Sequence, residues 1–479
     1  MILLRPLDCF CFCVEVKQCL GLCVLKVLAL ISMASGFAAT PNIVFCMADD
    51  WSYPHASALG DTTVQTPHFD RVAREGILFP NAFVSTPSCT PSRLSILAGQ
   101  HHWRLKEGAS LGGSLREEFP VYTDMLQSAG YLVGRFGKGV WPSKHTFRNR
   151  DSFGPRYKSF EAFLDKRQSG QPFCYWHGGR DPHRPYQTGM GVKSGIELDR
   201  IKVPGCLPDH PVVRSDLADY YWHIQCFDKE VGRIFEHLEA LGELDHTIFV
   251  VSGDNGMPFP RGKATLYDLG TRVPLAIRWG DKLKIRGTSD TFVSLCDLAP
   301  TFLGVSELAI PIQMTGKSLL PLLMGEASVH RDFVLTGNER HCFLNPSRAL
   351  RTKDFLLIRN FDSDQWPTGD LKGKQPRYDF VKTPWPTGPG AFCYNIDPSP
   401  SKQLLRLHRA TYAQFVEKSF GTRPAWELYD LKNDPDQLRN VASEDRLAGT
   451  LRQLQSRLHE CLVIGRDPRI VATERAPRE

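Results

Sequence analysis

The sequence predicts an α/β fold in which a large, mostly parallel sheet is sandwiched by helices, followed by a smaller C-terminal α+β domain. Three observations carry that prediction. Short, uninterrupted apolar runs at 42–47, from 131, at 173–177 and at 247–252 have the length and continuity of strands buried on both faces. Helical periodicity separates them, above all over 215–244, where Leu217, Tyr220, Tyr221, Ile224, Phe227, Val231, Ile234, Leu238 and Leu241 keep one apolar stripe. A polar or glycine-rich cluster follows each run, at the place where open α/β sheets bind ligands.

The chain has 479 residues, 42% of them hydrophobic, which is enough for one large core or two domains. A formal charge of +6 fits an anionic substrate without demanding one. No concentrated basic stripe is present, so nucleic acid is not an expected partner. Residues 1–39 differ in kind: Arg5, Lys17 and Lys26 punctuate an apolar stretch that ends in the small residues Ala34, Ser35, Gly36, Ala38 and Ala39. That pattern predicts a signal peptide or leader, and export to a periplasm, a lysosome or the exterior. The run is too short, and too interrupted by Lys26, for a stable membrane span. Five of the 14 cysteines lie in this leader, and the other nine form no CxxC pair, so a zinc site is not expected. Leaving Cys89 aside, those others could pair in an oxidising compartment.

Along the chain, the strand at 42–47 ends at Asp49 and Asp50. Two adjacent carboxylates after a buried strand are costly unless a cation holds them, although an Asp pair also caps helices and turns. Residues 66–76 read as a helix capped by Thr66 and stopped by Gly76. A second helix is expected just after Cys89, with Pro91 two residues on and Arg93 four on. It would aim its free N–H groups at an anion. Lys138 follows the strand that starts near 131, His183 follows the one at 173–177, and Asp254 and Asn255 follow the one at 247–252. From about 337 the texture changes. Short strands at 355–360 and 426–430 flank a Pro-, Gly- and Trp-rich loop containing Trp366 and Trp385, and a final helix is expected over 444–461. The expected division is a leader at 1–39, a catalytic domain at 40–336 and a smaller domain at 337–479.

Asp49, Asp50, Asp254 and Asn255 form an all-oxygen set suited to a hard cation, Ca2+, or Mg2+ in a tight cavity. Lys138, His183 and Lys263 are candidates for holding an anionic group or protonating a leaving group. Singly, each lysine reads as a surface residue and His183 as a loop histidine.

Cys89, Pro91 and Arg93, with the segments 181–184, 252–263 and 423–430, resemble the type I sulfatases. Within them the resemblance is to the N-sulfoglucosamine sulfohydrolase (sulfamidase) branch, and it extends from about 42 to 442. It implies an alkaline-phosphatase-like fold and conversion of Cys89 to formylglycine by a sulfatase-maturing enzyme. One hydroxyl of the hydrated aldehyde would attack sulfur, and the other would let the sulfate ester collapse. Carried over by position, the metal ligands are Asp49, Asp50, converted Cys89, Asp254 and Asn255, and Arg93, Lys138, His183 and Lys263 surround the sulfate. The implied substrate is a sulfated saccharide, heparan-type N- or 6-O-sulfoglucosamine being favoured, and a homodimer is compatible. Two positions depart from the pattern: Val140 stands where many sulfatases have a histidine, leaving His145 as a substitute, and Lys263 stands where sulfamidase has arginine. The alternatives are a phosphonate or phosphomonoester hydrolase of the same superfamily, and an inactive sulfated-glycan-binding protein. Trp366 and Trp385 would stack on a sugar or pack between domains.

Overall fold

The computed structural model describes residues 40–140, 147–342, 344–361 and 395–475. The expected leader, His145, Trp366, Trp385 and Cys393 lie outside the described residues. In chain order the strands are β1 Asn42–Ala48, β2 Ile77–Leu78, β3 Ala82–Phe83, β4 Leu132–Gly137, β5 Phe173–Gly178, β6 Thr247–Gly253 and β7 Arg272–Val273. They continue with β8 Leu275–Arg278, β9 Gly287–Thr288, β10 Val293–Ser294, β11 Phe333–Arg340, β12 Leu344–Thr352, β13 Phe355–Asn360 and β14 Trp426–Asp430.

The main sheet has the order β4-β5-β1-β6-β8-β2-β9. Its first four strands are parallel, as the continuous apolar runs predict, whereas β8 runs antiparallel to both β6 and β2, so the whole sheet is mixed. Along β1, Ile43, Phe45 and Met47 face a core shared with Leu94, Ile96, Leu97 and Phe302. Val44, Cys46 and Ala48 face a second core with Leu217, Tyr220, Ile224 and Phe227. Every residue of β1 is buried, which is what two helical layers require of a central strand.

The register of this sheet sets the site. Ala48 pairs with Gly253, Met47 with Gly178, and Gly137 with Gly178, so β1, β6, β5 and β4 all end at one level. The residues that follow therefore leave the sheet side by side. Gly137 has φ 65°, and a Cβ there would lie 2.0 Å from the Gly178 carbonyl oxygen, so the two strand ends converge only because no side chain stands between them.

Helix Pro67–Glu75 forms as expected, but Thr66 does not cap it: its hydroxyl donates to Asp70 Oδ1 at 3.0 Å, and Pro67 opens the first turn. Gly76 stops it for a packing reason, since a Cβ would lie 2.1 Å from the Ile277 carbonyl oxygen. The long helix spans Pro211–Ala240, four residues upstream of the expected range. His210 accepts from the Val212 N–H at 3.1 Å and Pro211 needs no partner, which fixes the earlier start.

The last sheet is antiparallel, β11-β12-β13-β14. β13 and β14 coincide with the expected strands, while β11 and β12 were not anticipated. β12 carries buried charge rather than apolar alternation: its Arg348 is fully buried and donates to Asp467 and Glu339. The helix expected over 444–461 is Ala448–Ile464, preceded by a 3-10 turn at Asp445–Leu447 and followed by a further helix, Pro468–Arg475. Arg351 donates to Asp268 through Nε and Nη2, both at 2.9 Å, tying β12 to the segment before β7. Cys46, Cys89, Cys174, Cys206, Cys226, Cys296 and Cys461 are free thiols. No described helix is long and apolar enough to cross a membrane.

Candidate active site

Helix Cys89–Ala98 is buried over its whole length, and its Leu94, Ile96 and Leu97 share a core with Ile43, Phe45 and Met47 of β1. Ser88 is extended (φ −152°, ψ 130°), so the chain turns into the helix at Cys89 and presents that side chain at the first turn. Cys89 Sγ lies 3.8 Å from Asp50 Oδ1. The opposite end closes on Gly99, whose left-handed φ of 58° lets its N–H reach the last carbonyls.

All nine residues singled out from the sequence meet here. Arg93 Nε donates to Asp254 Oδ2 at 2.6 Å, and its Nη2 lies 3.7 Å from Asp49 Oδ1. Arg93 Nη1 also donates to the Lys138 carbonyl at 2.7 Å, which ties the helix to the end of β4. Lys138 Nζ lies 2.5 Å from Asp49 Oδ2, and Lys263 Nζ lies 2.8 Å from Asp50 Oδ2. Asn255 Nδ2 donates to Asp50 Oδ1 at 2.7 Å, and His183 Nε2 lies 3.9 Å from Asp50 Oδ2. One candidate ligand atom from each of Asp49, Asp50, Cys89 and His183 falls within a 4.8 Å cluster.

The electrostatics follow from this packing. Burial alone would push Asp49 up, but Lys138, His183, Arg93 and Lys263 outweigh it and hold the carboxyl well below the usual range. Burial pushes Asp254 up to about 6, and Arg93 opposes while Asp49 and Asp50 add to the rise. Burial also pushes the Cys89 thiol far up, against Lys138 and Lys263, so it is neutral at physiological pH. Asp49 Oδ1 and Asn255 Oδ1 are buried without a hydrogen-bond partner among the described residues. Two orphaned oxygens beside clustered carboxylates fit a hard cation.

Asp50 adopts φ 76°, a left-handed conformation that costs a non-glycine residue on the order of 1 kcal/mol or more. It is held from two sides. Its N–H donates to Asp254 Oδ1 at 3.0 Å, and its carbonyl accepts from the buried Tyr220 hydroxyl at 3.0 Å. Tyr220 Oη in turn accepts from the Ser52 N–H at 3.0 Å.

Two family models match the chain: the sulfatase family over residues 41–165 and 143–308, and the N-sulphoglucosamine sulphohydrolase C-terminal family over 261–378. The chain belongs to the sulfatase family. As a sulfatase it is a sulfuric ester hydrolase, and the segment 261–378 is similar to the C-terminal part of N-sulphoglucosamine sulphohydrolases. Human N-sulphoglucosamine sulphohydrolase is 28% identical, over 90% of this chain and 92% of the relative. An ulvan-active sulfatase of Formosa agariphila is 27% identical, over 87% and 78%. The fold of this sulfatase matches a structure solved with its substrate D-glucosamine-2-N,6-O-disulfate (TM-score 0.65, 20% identity, 89% and 98% covered). It equally matches a phosphonate monoester hydrolase from Silicibacter pomeroyi (TM-score 0.65, 18% identity, 89% and 96% covered). The architecture is thus shared between the two chemistries.

Val140, at the position of the absent histidine, packs against the first core. Several residues of the sulfatase site escaped the sequence reading. Tyr220 read as one of many apolar-face residues. Ser88 Oγ bonds His341 Nδ1 at 2.8 Å, and Asp397 Oδ2 lies 3.5 Å from Lys263 Nζ. Arg184 grips Asp216 with two bonds of 2.8 and 2.9 Å and so fixes the loop that carries His183. No motif spacing signals these pairings.

Proposed function

We propose that this sulfatase removes sulfate from a sulfated sugar, heparan-type N- or 6-O-sulfoglucosamine being favoured, with Cys89 matured to formylglycine. The observation that carries the reading is the position of Cys89, at the first turn of a buried helix and within reach of Asp50, Lys138 and Lys263. A neutral buried thiol is a poor nucleophile, which supports its role as a precursor. Once converted by a maturing enzyme, position 89 supplies a hydrated aldehyde as the nucleophile toward sulfur. Asp49, Asp50, Asp254 and Asn255, beside converted Cys89, would hold calcium or magnesium, which when bound stabilises negative charge on sulfate oxygens.

The chain's own residues supply the remaining chemistry. Arg93, Lys138 and Lys263 face the carboxylates of Asp49, Asp50, Asp254 and Asp397, so a divalent cation would leave the site net positive and receptive to an anion. Lys138 and Lys263 reach it from opposite sides, through Asp49 and Asp50, and would bind sulfate oxygens. His183 has Nδ1 bonded to the Arg184 carbonyl, which directs Nε2 toward the carboxylates, where it would hold the proton destined for the leaving oxygen or nitrogen. Lys263 presents a point charge where sulfamidase has a fork-shaped guanidinium, which favours a shift from N- toward O-sulfate. The leader-like residues 1–39 support export.

Singly sulfated disaccharides bearing an N-, 2-O- or 6-O-sulfate, assayed for released sulfate beside a phosphonate monoester, test the reading. Release from the N- or 6-O-sulfate is expected. Turnover of the phosphonate alone would point to the alternative hydrolase, and turnover only of an algal sulfated glycan would overturn the heparan assignment.

A further inference from the structure

The segment that returns to the site at residues 395–401 brings a carboxylate that the reaction, as proposed above, does not use. Asp397 is 7% exposed, and Lys263 Nζ sits between Asp50 Oδ2 at 2.8 Å and Asp397 Oδ2 at 3.5 Å. Asp397 Oδ2 is nevertheless buried without a hydrogen-bond partner among the described residues. Burial would push this carboxyl up, yet Lys263, His183, His341 and Arg184 hold it down at about 2, so it is ionised at neutral pH. A buried, ionised carboxylate with an unfilled acceptor is costly unless something bound supplies a donor. That donor cannot be the sulfate, which has none and is repelled.

The carboxylate is also rigidly held. The Cys342 N–H donates to Asn395 Oδ1 at 2.8 Å, and Lys402 Nζ donates to the Ile396 carbonyl at 2.6 Å. Ser399 Oγ caps helix Pro400–Leu407 by accepting from the Lys402 N–H at 3.1 Å. Ser401 Oγ donates to Asp216 Oδ2 at 2.6 Å, and Asp216 grips Arg184, the neighbour of His183. One frame therefore positions both Asp397 and the His183 loop, as a specificity contact requires.

We propose that Asp397 is a specificity-determining residue whose carboxylate accepts a hydrogen bond from a hydroxyl or amino group of the sugar close to the scissile sulfate. The inference rests on the sulfatase reading and deepens it: it selects sugars that carry such a donor over sulfates that lack one. A site built to pair a substrate hydroxyl rejects the analogue without it, because its own buried polar group is then left unpaired.

The test compares glucosamine sulfate with its 3-deoxy and 4-deoxy analogues, using matured full-length protein and measuring kcat/KM from released sulfate. Wild type is expected to lose on the order of 10- to 100-fold against at least one analogue. In Asp397→Ala that ratio should collapse to within about threefold, and the near-isosteric Asp397→Asn, which carries the test if the alanine variant fails to fold, should narrow it by at least about threefold. A purely structural role would lower all three rates together and leave the ratio intact. An unchanged ratio in the variants, or no discrimination by wild type, would overturn this inference alone. Absence of sulfate release from the parent sugar by wild type would overturn the sulfatase reading and this inference with it.

Discussion

Arg93 and Asp254 form a closed, fully buried ion pair: Nε donates to Oδ2 at 2.6 Å and neither side chain is exposed. Removing one partner of such a pair leaves the other charge buried and uncompensated, at a cost of about 3–5 kcal/mol. Asp254→Ala is therefore expected to lower the melting temperature and abolish sulfate release. Asp254→Asn, which keeps an acceptor for Arg93, should lose activity while retaining more of the stability. Equal melting curves for wild type and Asp254→Ala would show that the pair contributes nothing.

Burial and neighbouring charge leave Asp254 raised even beside Arg93, and Asp49 Oδ1 and Asn255 Oδ1 unpartnered. Calcium or magnesium should relieve both, raising the melting point of chelated protein by the equivalent of about 2.7 kcal/mol at a hundredfold excess over Kd. The shift should be absent in Asn255→Ala. Full activity in excess chelator, with no ion-dependent shift, would exclude the cation.

Tyr220 acts at one remove. Its hydroxyl bridges the Ser52 N–H and the Asp50 carbonyl, and so holds Asp50 in its left-handed conformation. Tyr220→Phe should cost about 1–3 kcal/mol, because it strands two buried backbone groups. It should also lower kcat by roughly tenfold through misplacement of Asp50. Thermal melts and kcat measured on one preparation check both.

Much of this centre was legible in the sequence, and the reason is local. Asp49, Asp50, Lys138, His183, Asp254 and Asn255 follow continuous apolar runs, and the shared end level of β1, β4, β5 and β6 turns positions far apart in the chain into neighbours. Asp397 and His341 were not legible because they reach the site from the C-terminal part, where no run or motif marks them. β12 was not legible either, because its central Arg348 is taken into the interior by Asp467, 119 residues away, and by Glu339, and no apolar run marks the strand.

The joint between β12 and the segment before β7 should be acid-sensitive. Burial opposes ionisation of Asp268, but Arg351 and Arg272 outweigh it and hold the carboxyl at about 2. A depressed folded-state value contributes stability that is fully present above the ordinary aspartate range near 4 and is lost as pH falls toward 2, roughly 2 kcal/mol in all. Asp268→Asn should flatten that part of the melting profile between pH 5 and pH 3, both values being about one unit from the ordinary aspartate pKa. A parallel profile for variant and wild type would contradict the assignment.

The most direct test of the central claim is the mass of the peptide containing residue 89, taken from purified protein that releases sulfate. The account predicts a residue lighter than cysteine that reacts as an aldehyde, with Cys89→Ala folded but inactive. Active protein carrying only unmodified cysteine at position 89 would contradict it.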